Sequence, residues 1–212
     1  MQFFAHRSWK DVDLVCPLDS YRKAHHFLSN LGFQSDYRLE AVTDGRRAVF
    51  YSPGLKMLVD LFAGELRFSH TLRLNGRILN DPYTVSLADL VLSKLQRVDL
   101  RESDLEDLLL LLGLYEIGST DGNSINLNRI VSVLSQDWGF YQTALENLGL
   151  VETFSRGANS HEIERLKGKA MENRSRILTE INGFRKSVRW KLRSILGKRI
   201  KWYQEVETTE IF

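Results

Sequence analysis

Cysteine is almost absent from this chain. The 212 residues include one, Cys16, so no internal disulfide can form, and a reducing cytoplasm is the expected setting. Cys16 lies in an apolar run, where a small buried thiol is the expected state. Long apolar stretches are missing too: none approaches the roughly 20 residues needed to cross a bilayer. The opening Met1-Gln2-Phe3-Phe4-Ala5-His6-Arg7 lacks the layout of a secretory signal. The five histidines have no ligand-like spacing with the cysteine, and His25 and His26 are adjacent on a helical stretch, so no zinc site is expected. There is no G-x-G-x-x-G, no phosphate-binding P-loop and no G-x-S-x-G, which removes support for dinucleotide, Walker-type and serine-nucleophile chemistry. No internal repeat and no low-complexity tract is present.

What is present is the composition of an ordinary globular protein, 43% hydrophobic and 26% charged. The length allows one large domain or one domain with an appendage. The formal net charge of +2 says little alone, but its distribution is uneven.

The chemistry-bearing feature is Asp11-Val12-Asp13, followed by Leu14-Val15-Cys16-Pro17. This pattern predicts a short strand ending at a proline. Side chains alternate along a strand, so Asp11 and Asp13 share one face. Two carboxylates so placed repel unless solvated or bridged by a divalent cation. A third acid, Asp60, interrupts the apolar run Met57 to Phe62, where an acid needs a partner. Three acids on two adjacent strands would make a site for magnesium and phosphoryl chemistry. Strand-end aspartates are also commonly just solvated.

Between and beyond these acids, Leu18 to Leu31 carries apolar residues at helical spacing and ends at Gly32. Tyr37 to Val42 and Arg47 to Tyr51 are predicted as strands joined by a hairpin turn at Thr43-Asp44-Gly45-Arg46. Ser52-Pro53-Gly54 is the next turn, and the strand with Asp60 follows. Residues 67–77 are predicted as extended, with a turn at Asn75-Gly76. From Asn80 the pattern becomes helical. Ser86 and Asp89 form a capping box, and a second helix runs from Glu102 to Leu112. Ser119 to Ser124 is the linker-like stretch and the expected domain boundary. Beyond it every segment is helical, including a long span from His161 to Trp202 with breaks at Gly183 and Gly197.

These motifs, taken in order, resemble the nucleotidyltransferase-fold superfamily, in particular its prokaryotic branch of abortive-infection, toxin–antitoxin related proteins. The resemblance is carried by Arg7-Ser8-Trp9-Lys10-Asp11-Val12-Asp13-Leu14, by Asn30-Leu31-Gly32-Phe33 and by Val59-Asp60-Leu61-Phe62. The helical segment Thr84 to Gln96 follows, and then Arg101-Glu102-Ser103-Asp104-Leu105-Glu106-Asp107-Leu108, and the match covers roughly residues 3–115. It implies an α+β fold: a small mixed sheet with helices over residues 1–118, then an all-helical region over 124–212. It implies that Asp11 and Asp13 hold magnesium and the triphosphate, with Asp60 as third carboxylate near the incoming hydroxyl. Lys94, on the inward stripe of its helix, is implied as a phosphate contact or a support for the acids, and as a core-stripe lysine it can also simply snorkel to the edge. Asp104 and Asp107 share a helix side, either in a site or as a solvated face or a pair for Arg101.

One family feature is missing. A Gly-Gly or Gly-Ser turn precedes the D-x-D in that family, and none of the ten residues before Asp11 is glycine. Met1 to Arg7 resembles the tail of the helix that should carry it. Either the natural chain starts further upstream, or the protein lacks the phosphate cradle and is catalytically degenerate.

Between Glu180 and Glu205 there is no acid, and Arg185, Arg189 and Arg193 recur every four residues. They would line one helical face, with Phe184, Val188, Leu192 and Ile195 on another and Trp190, Trp202 and Tyr203 interleaved. A basic stripe with aromatics suits an RNA backbone, and a solvated face of a packed helix explains it equally well. A membrane partner is not expected, because packing needs the apolar face. Two functions therefore stand: a cytoplasmic magnesium-dependent nucleotidyltransferase acting from a nucleoside triphosphate on a hydroxyl of RNA, protein or a small molecule, or a degenerate regulatory protein binding RNA or a cognate partner through its basic region.

Overall fold

Asp11–Cys16 forms strand β1, ended by Pro17 as the sequence predicts. The computed structural model describes residues 11–81, 83–157 and 161–205, the side chains of 37–39 and 161–163 excepted. The expected helical tail Met1 to Arg7, and the part of the family resemblance before Asp11, lie outside the described residues. Helix α1 (Tyr21–Asn30) follows, then β2 (Gln34–Ser35), α2 (Tyr37–Val42), β3 (Arg47–Ser52) and β4 (Met57–Ala63). Gly32 takes φ +86° just beyond α1, a conformation open to glycine without a Cβ penalty.

These strands make one mixed sheet in the order β1-β4-β3-β2. β1 runs parallel to β4, and β3 is antiparallel to both β4 and β2. Alternation sorts the two faces. Ala48, Phe50, Val59, Leu61 and Ala63 pack with Tyr21 and Leu28 of α1 into the core, joined by the half-buried Cys16 and Met57. The opposite face carries Asp11, Asp13, Asp60, Arg47 and Phe62. The expected hairpin of Tyr37–Val42 with the Arg47 strand is not formed. Tyr37–Val42 is helical, and β3 makes its hairpin with β4 through Ser52-Pro53-Gly54. The alternation of Tyr-Arg-Leu-Glu-Ala fits a strand, so the helical state is not written in the local pattern; the segment closes as at a helix end, with the Gly45 N–H donating to the Glu40 carbonyl at 2.9 Å.

Strands β5 (Glu65–Arg67) and β6 (Thr71–Arg73) form a short ribbon, and the rest of the chain is α3 (Leu87–Leu95), α4 (Glu102–Leu114), β7 (Glu116–Gly118), β8 (Ser124–Asn126), α5 (Leu127–Gln136), α6 (Trp138–Gly157), α7 (His161–Gly183) and α8 (Val188–Leu196). The described residues form two compact units: 11–66 with 73–78, and 67–72 with 79–205. The division therefore does not fall at Ser119 to Ser124. That stretch joins β7 to β8, which pair inside the second unit, and α3 and α4 belong with the later helices. β8 also means that the region from 124 onward is not wholly helical.

The second unit is closed by buried polar side chains. Asn147 Nδ2 donates to the Leu95 and Arg97 carbonyls at 3.0 and 2.7 Å, and Asn173 Nδ2 to those of Leu112 and Tyr115 at 2.8 and 2.9 Å. They satisfy the orphan carbonyls at the ends of α3 and α4. Gly113 lets α4 lie against α7, where a Cβ would stand 2.7 Å from that of Leu166. Among the described residues no helix is long and apolar enough to cross a membrane.

Candidate functional site

The parallel pairing of β1 with β4 sets Asp13 directly opposite Asp60 and Asp11 opposite Leu58. Neighbouring strands lie about 4.8 Å apart and i, i+2 residues about 6.6 Å apart. The three acids expected from the sequence thus occupy one face of two adjacent strands. Asp11 and Asp13 are exposed, and Asp60 is mostly buried.

The occupant of the cation position beside Asp60 is a side chain the sequence reading did not single out. Arg47, at the start of β3, shares this face. Its Nε donates to both oxygens of Asp60 at 2.9 and 3.1 Å, and its Nη2 donates to Oδ2 at 2.5 Å. The guanidinium also lies over the Phe62 ring, 5.1 Å from its centroid. The pair retains only 15% and 16% side-chain exposure. Burial pushes the Asp60 carboxyl above its ordinary range, Arg47 pulls it back, and the charge of Asp11 raises it further. Asp60 therefore feels both Arg47 and Asp11. Among the described residues no group of three His, Cys, Asp or Glu side chains is arranged to hold a metal ion. A forked guanidinium engages both Asp60 oxygens, so its lone pairs are turned toward β3. The signal for Arg47 was available: an acid inside an apolar strand needs a partner, and Arg47 is the charged residue of the neighbouring strand Arg-Ala-Val-Phe-Tyr-Ser.

Lys94 lies in the second unit. Its Nζ donates to Asp104 Oδ1 at 2.8 Å and stands 2.9 Å from Asp107 Oδ2. Burial lowers the affinity of the Lys94 amine for its proton, but the hydrogen bonds and charges of Asp104 and Asp107 more than offset this and raise it. Burial would raise Asp104, and Lys94, the Arg101 N–H and Arg97 together hold it below its usual value. The Asp104–Asp107 pair thus serves Lys94 rather than Arg101 side-chain pairing, and Asp104 accepts from the Arg101 backbone N–H at 3.2 Å as a cap of α4. The lysine snorkels into two carboxylates.

The basic region departs from expectation in three ways. The helix breaks after Gly183, as the sequence suggests, so Arg185 lies in the connection before α8 and cannot share a helical face with Arg189 and Arg193. Arg193 points inward: it stacks 4.6 Å from the Trp138 centroid and donates to the carbonyls of Gly197 and Ile200 at 2.8 and 2.9 Å. It closes the end of α8 instead of facing a nucleic acid. Trp190 likewise turns inward and donates to the Leu134 carbonyl at 3.2 Å. The apolar side expected to pack, Val188, Leu192 and Ile195, is exposed instead.

Comparison with protein-family models, curated proteins and solved structures gives no match to this chain.

Proposed function

We propose that the acidic face of the sheet is a nucleotidyl-transfer site, acting from a magnesium–nucleoside triphosphate on a hydroxyl acceptor. The observation that carries this reading is the register: Asp13 opposite Asp60, with Asp11 on the same face. Oxygen donors of this kind suit a hard divalent cation that keeps several waters, and Asp11 and Asp13 are exposed. These two would hold magnesium, which when bound would neutralise charge on the triphosphate. Asp60, lifted by burial toward the working pH, is suited to accept a proton from the acceptor hydroxyl. To do so it must release one of the Arg47 donors. Resemblance to the nucleotidyltransferase-fold superfamily supports the same assignment.

A specific observation favours a second reading. Arg47 already supplies Asp60 with a fixed cation, as a degenerate site would. On this reading the protein is regulatory and binds RNA or a partner protein.

Calorimetric titration with magnesium and each triphosphate separates the two. The transferase reading expects saturable heat in the wild type, lost in Asp11→Asn and Asp13→Asn, with unchanged circular dichroism since both side chains are exposed. Saturable triphosphate binding that survives in both variants, or none in the wild type, removes it.

A further inference from the structure

We propose that the outer face of α8 docks on an anionic phospholipid surface. Val188, Leu192 and Ile195 stand at i, i+4 and i+7, and 75%, 62% and 75% of each is exposed. That spacing makes one stripe along the helix. Leu196, the last residue of α8, and Ile200 beyond it extend the stripe, both exposed. A step of one residue on a helix is a turn of about 100°, so Arg189 flanks the stripe on one side and Lys191 on the other. Arg185 lies before it and Arg199 beyond it. None of these four cations has an acidic partner among the described residues, whereas Lys198 pairs with Glu146 and Lys201 with Glu205. No acid occurs from 181 to 204.

An apolar apex ringed by cations fits some partners and not others. A nucleic-acid backbone would leave the aliphatic stripe unsatisfied at the centre of the contact. A second copy of the same face would bring like charges together. A protein groove would wrap the flanks of the helix and bury Arg189 and Lys191 against its walls, and it would have to place an acid on each wall to offset their desolvation. A flat anionic bilayer accepts the aliphatic stripe among its acyl chains, while arginine and lysine stems reach back to the phosphates. The face combines the two signals that stable surface attachment needs, apolar insertion and a polybasic rim. The inner side of α8 is anchored by Trp190 and Arg193, so the stripe is presented by a fixed helix.

The test is co-sedimentation of the full chain with vesicles of phosphatidylcholine alone and of an equimolar mixture with phosphatidylglycerol. The wild type is expected to bind only the anionic vesicles, and to release as sodium chloride screens the charges. Leu192→Glu with Ile195→Glu should abolish binding while the thermal melt is unchanged, and Leu192→Ser with Ile195→Ser gives the same answer should the first pair fail to fold. Arg189→Glu with Lys191→Glu should weaken binding at least tenfold. The proposal is overturned if the wild type ignores anionic vesicles or binds neutral ones equally. It is equally overturned if the apolar variants bind as the wild type does, or if the wild type sediments as a dimer that those variants dissociate.

Discussion

Replacing Arg47 with methionine should unfold the sheet unit far more easily, in a way that depends on pH. The variant keeps the aliphatic stem and deletes the guanidinium, leaving Asp60 charged and mostly buried. Breaking a buried pair by removing one partner costs about 3–5 kcal/mol. The residual 15% and 16% exposure of Arg47 and Asp60 admits some water and places the loss near the lower end, about 3 kcal/mol. The stacking of the guanidinium on Phe62 adds about 0.5–1 kcal/mol. With a urea slope of about 2 kcal/mol per M, the midpoint should fall by about 1.5–2 M. The sign of the pH effect follows from Asp60, whose carboxyl is raised by burial even with Arg47 present. Without Arg47 it rises further. A carboxyl raised in the folded state adds stability that is present below its unfolded value and is lost as pH climbs through the folded one. The gap between variant and wild type should therefore narrow as pH falls from about 7 toward about 4, where aspartate titrates. Arg47→Met with Asp60→Leu should recover most of the loss, because an apolar pair of similar volume leaves no naked charge. The assay is urea unfolding by circular dichroism at several pH values, with hydrogen exchange of β3 and β4 amides locating the opening. A variant within about 0.5 kcal/mol of wild type, the range of ordinary surface substitutions, or a gap constant with pH, would refute the assignment of Arg47 as the internal counter-ion.

The second unit carries two further tests. His70 is buried against Phe140, with ring centroids 5.2 Å apart, and its Nε2 meets Thr143 Oγ1 at 2.8 Å. Burial lowers its pKa from 6.5 to about 4 against the opposing charge of Asp137, so its stabilising contribution is present above about 6.5 and lost as pH falls toward 4. The loss amounts to about 3 kcal/mol, and thermal melts should show it in the wild type but not in His70→Gln; equal slopes in the two would reject it. Gly113→Ala sets a Cβ 2.7 Å from Leu166 Cβ and 3.0 Å from its carbonyl oxygen, so α4 and α7 must part at about 2–3 kcal/mol. Gly149→Ala, with nothing within 4 Å of the new Cβ, should instead gain about 0.5–1 kcal/mol of helix propensity, and equal stabilities of the two variants would show that the close crossing is not tight.

Strand β1, helix α1, the Asp60 strand, the capped α3 and the breaks at Gly183 and Gly197 were legible because each carries a local signal: alternation, helical spacing, a serine cap or a glycine beyond a helix end. Tyr37–Val42 was misread for the opposite reason. Six residues with two β-branched or aromatic members fit a strand by composition, and their helical state is set by what lies before β3 in the fold. The unit boundary was hidden as well. Ser119 to Ser124 has the composition of a linker, but Glu116 pairs in parallel with Ser124 across it, and that pairing leaves no mark on composition. Arg193 illustrates the same limit on charge. Its spacing from Arg189 is helical and its composition suggests a phosphate contact, yet Trp138 from α6 and the carbonyls beyond Leu196 decide where the guanidinium goes.

Two basic side chains, Lys94 and Arg47, differ in their pairing from what spacing alone suggests. Lys94 is the one that helical position singled out, and its ammonium is divided between Asp104 and Asp107 in its own unit. Arg47 is the one that spacing passed over, and it grips the acid whose apolar surroundings made it conspicuous. A buried acid selects the nearest cation that can be desolvated with it, and a planar guanidinium meets both carboxylate oxygens at once. That leaves Asp11 and Asp13 as the exposed members of the acidic face and Asp60 as the buried, arginine-paired one. Any ligand that recruits all three must compete with Arg47 for Asp60, and its affinity should then rise when Arg47 is removed, even as the fold weakens. A structural ion pair with no ligand beside it gives only the weakening.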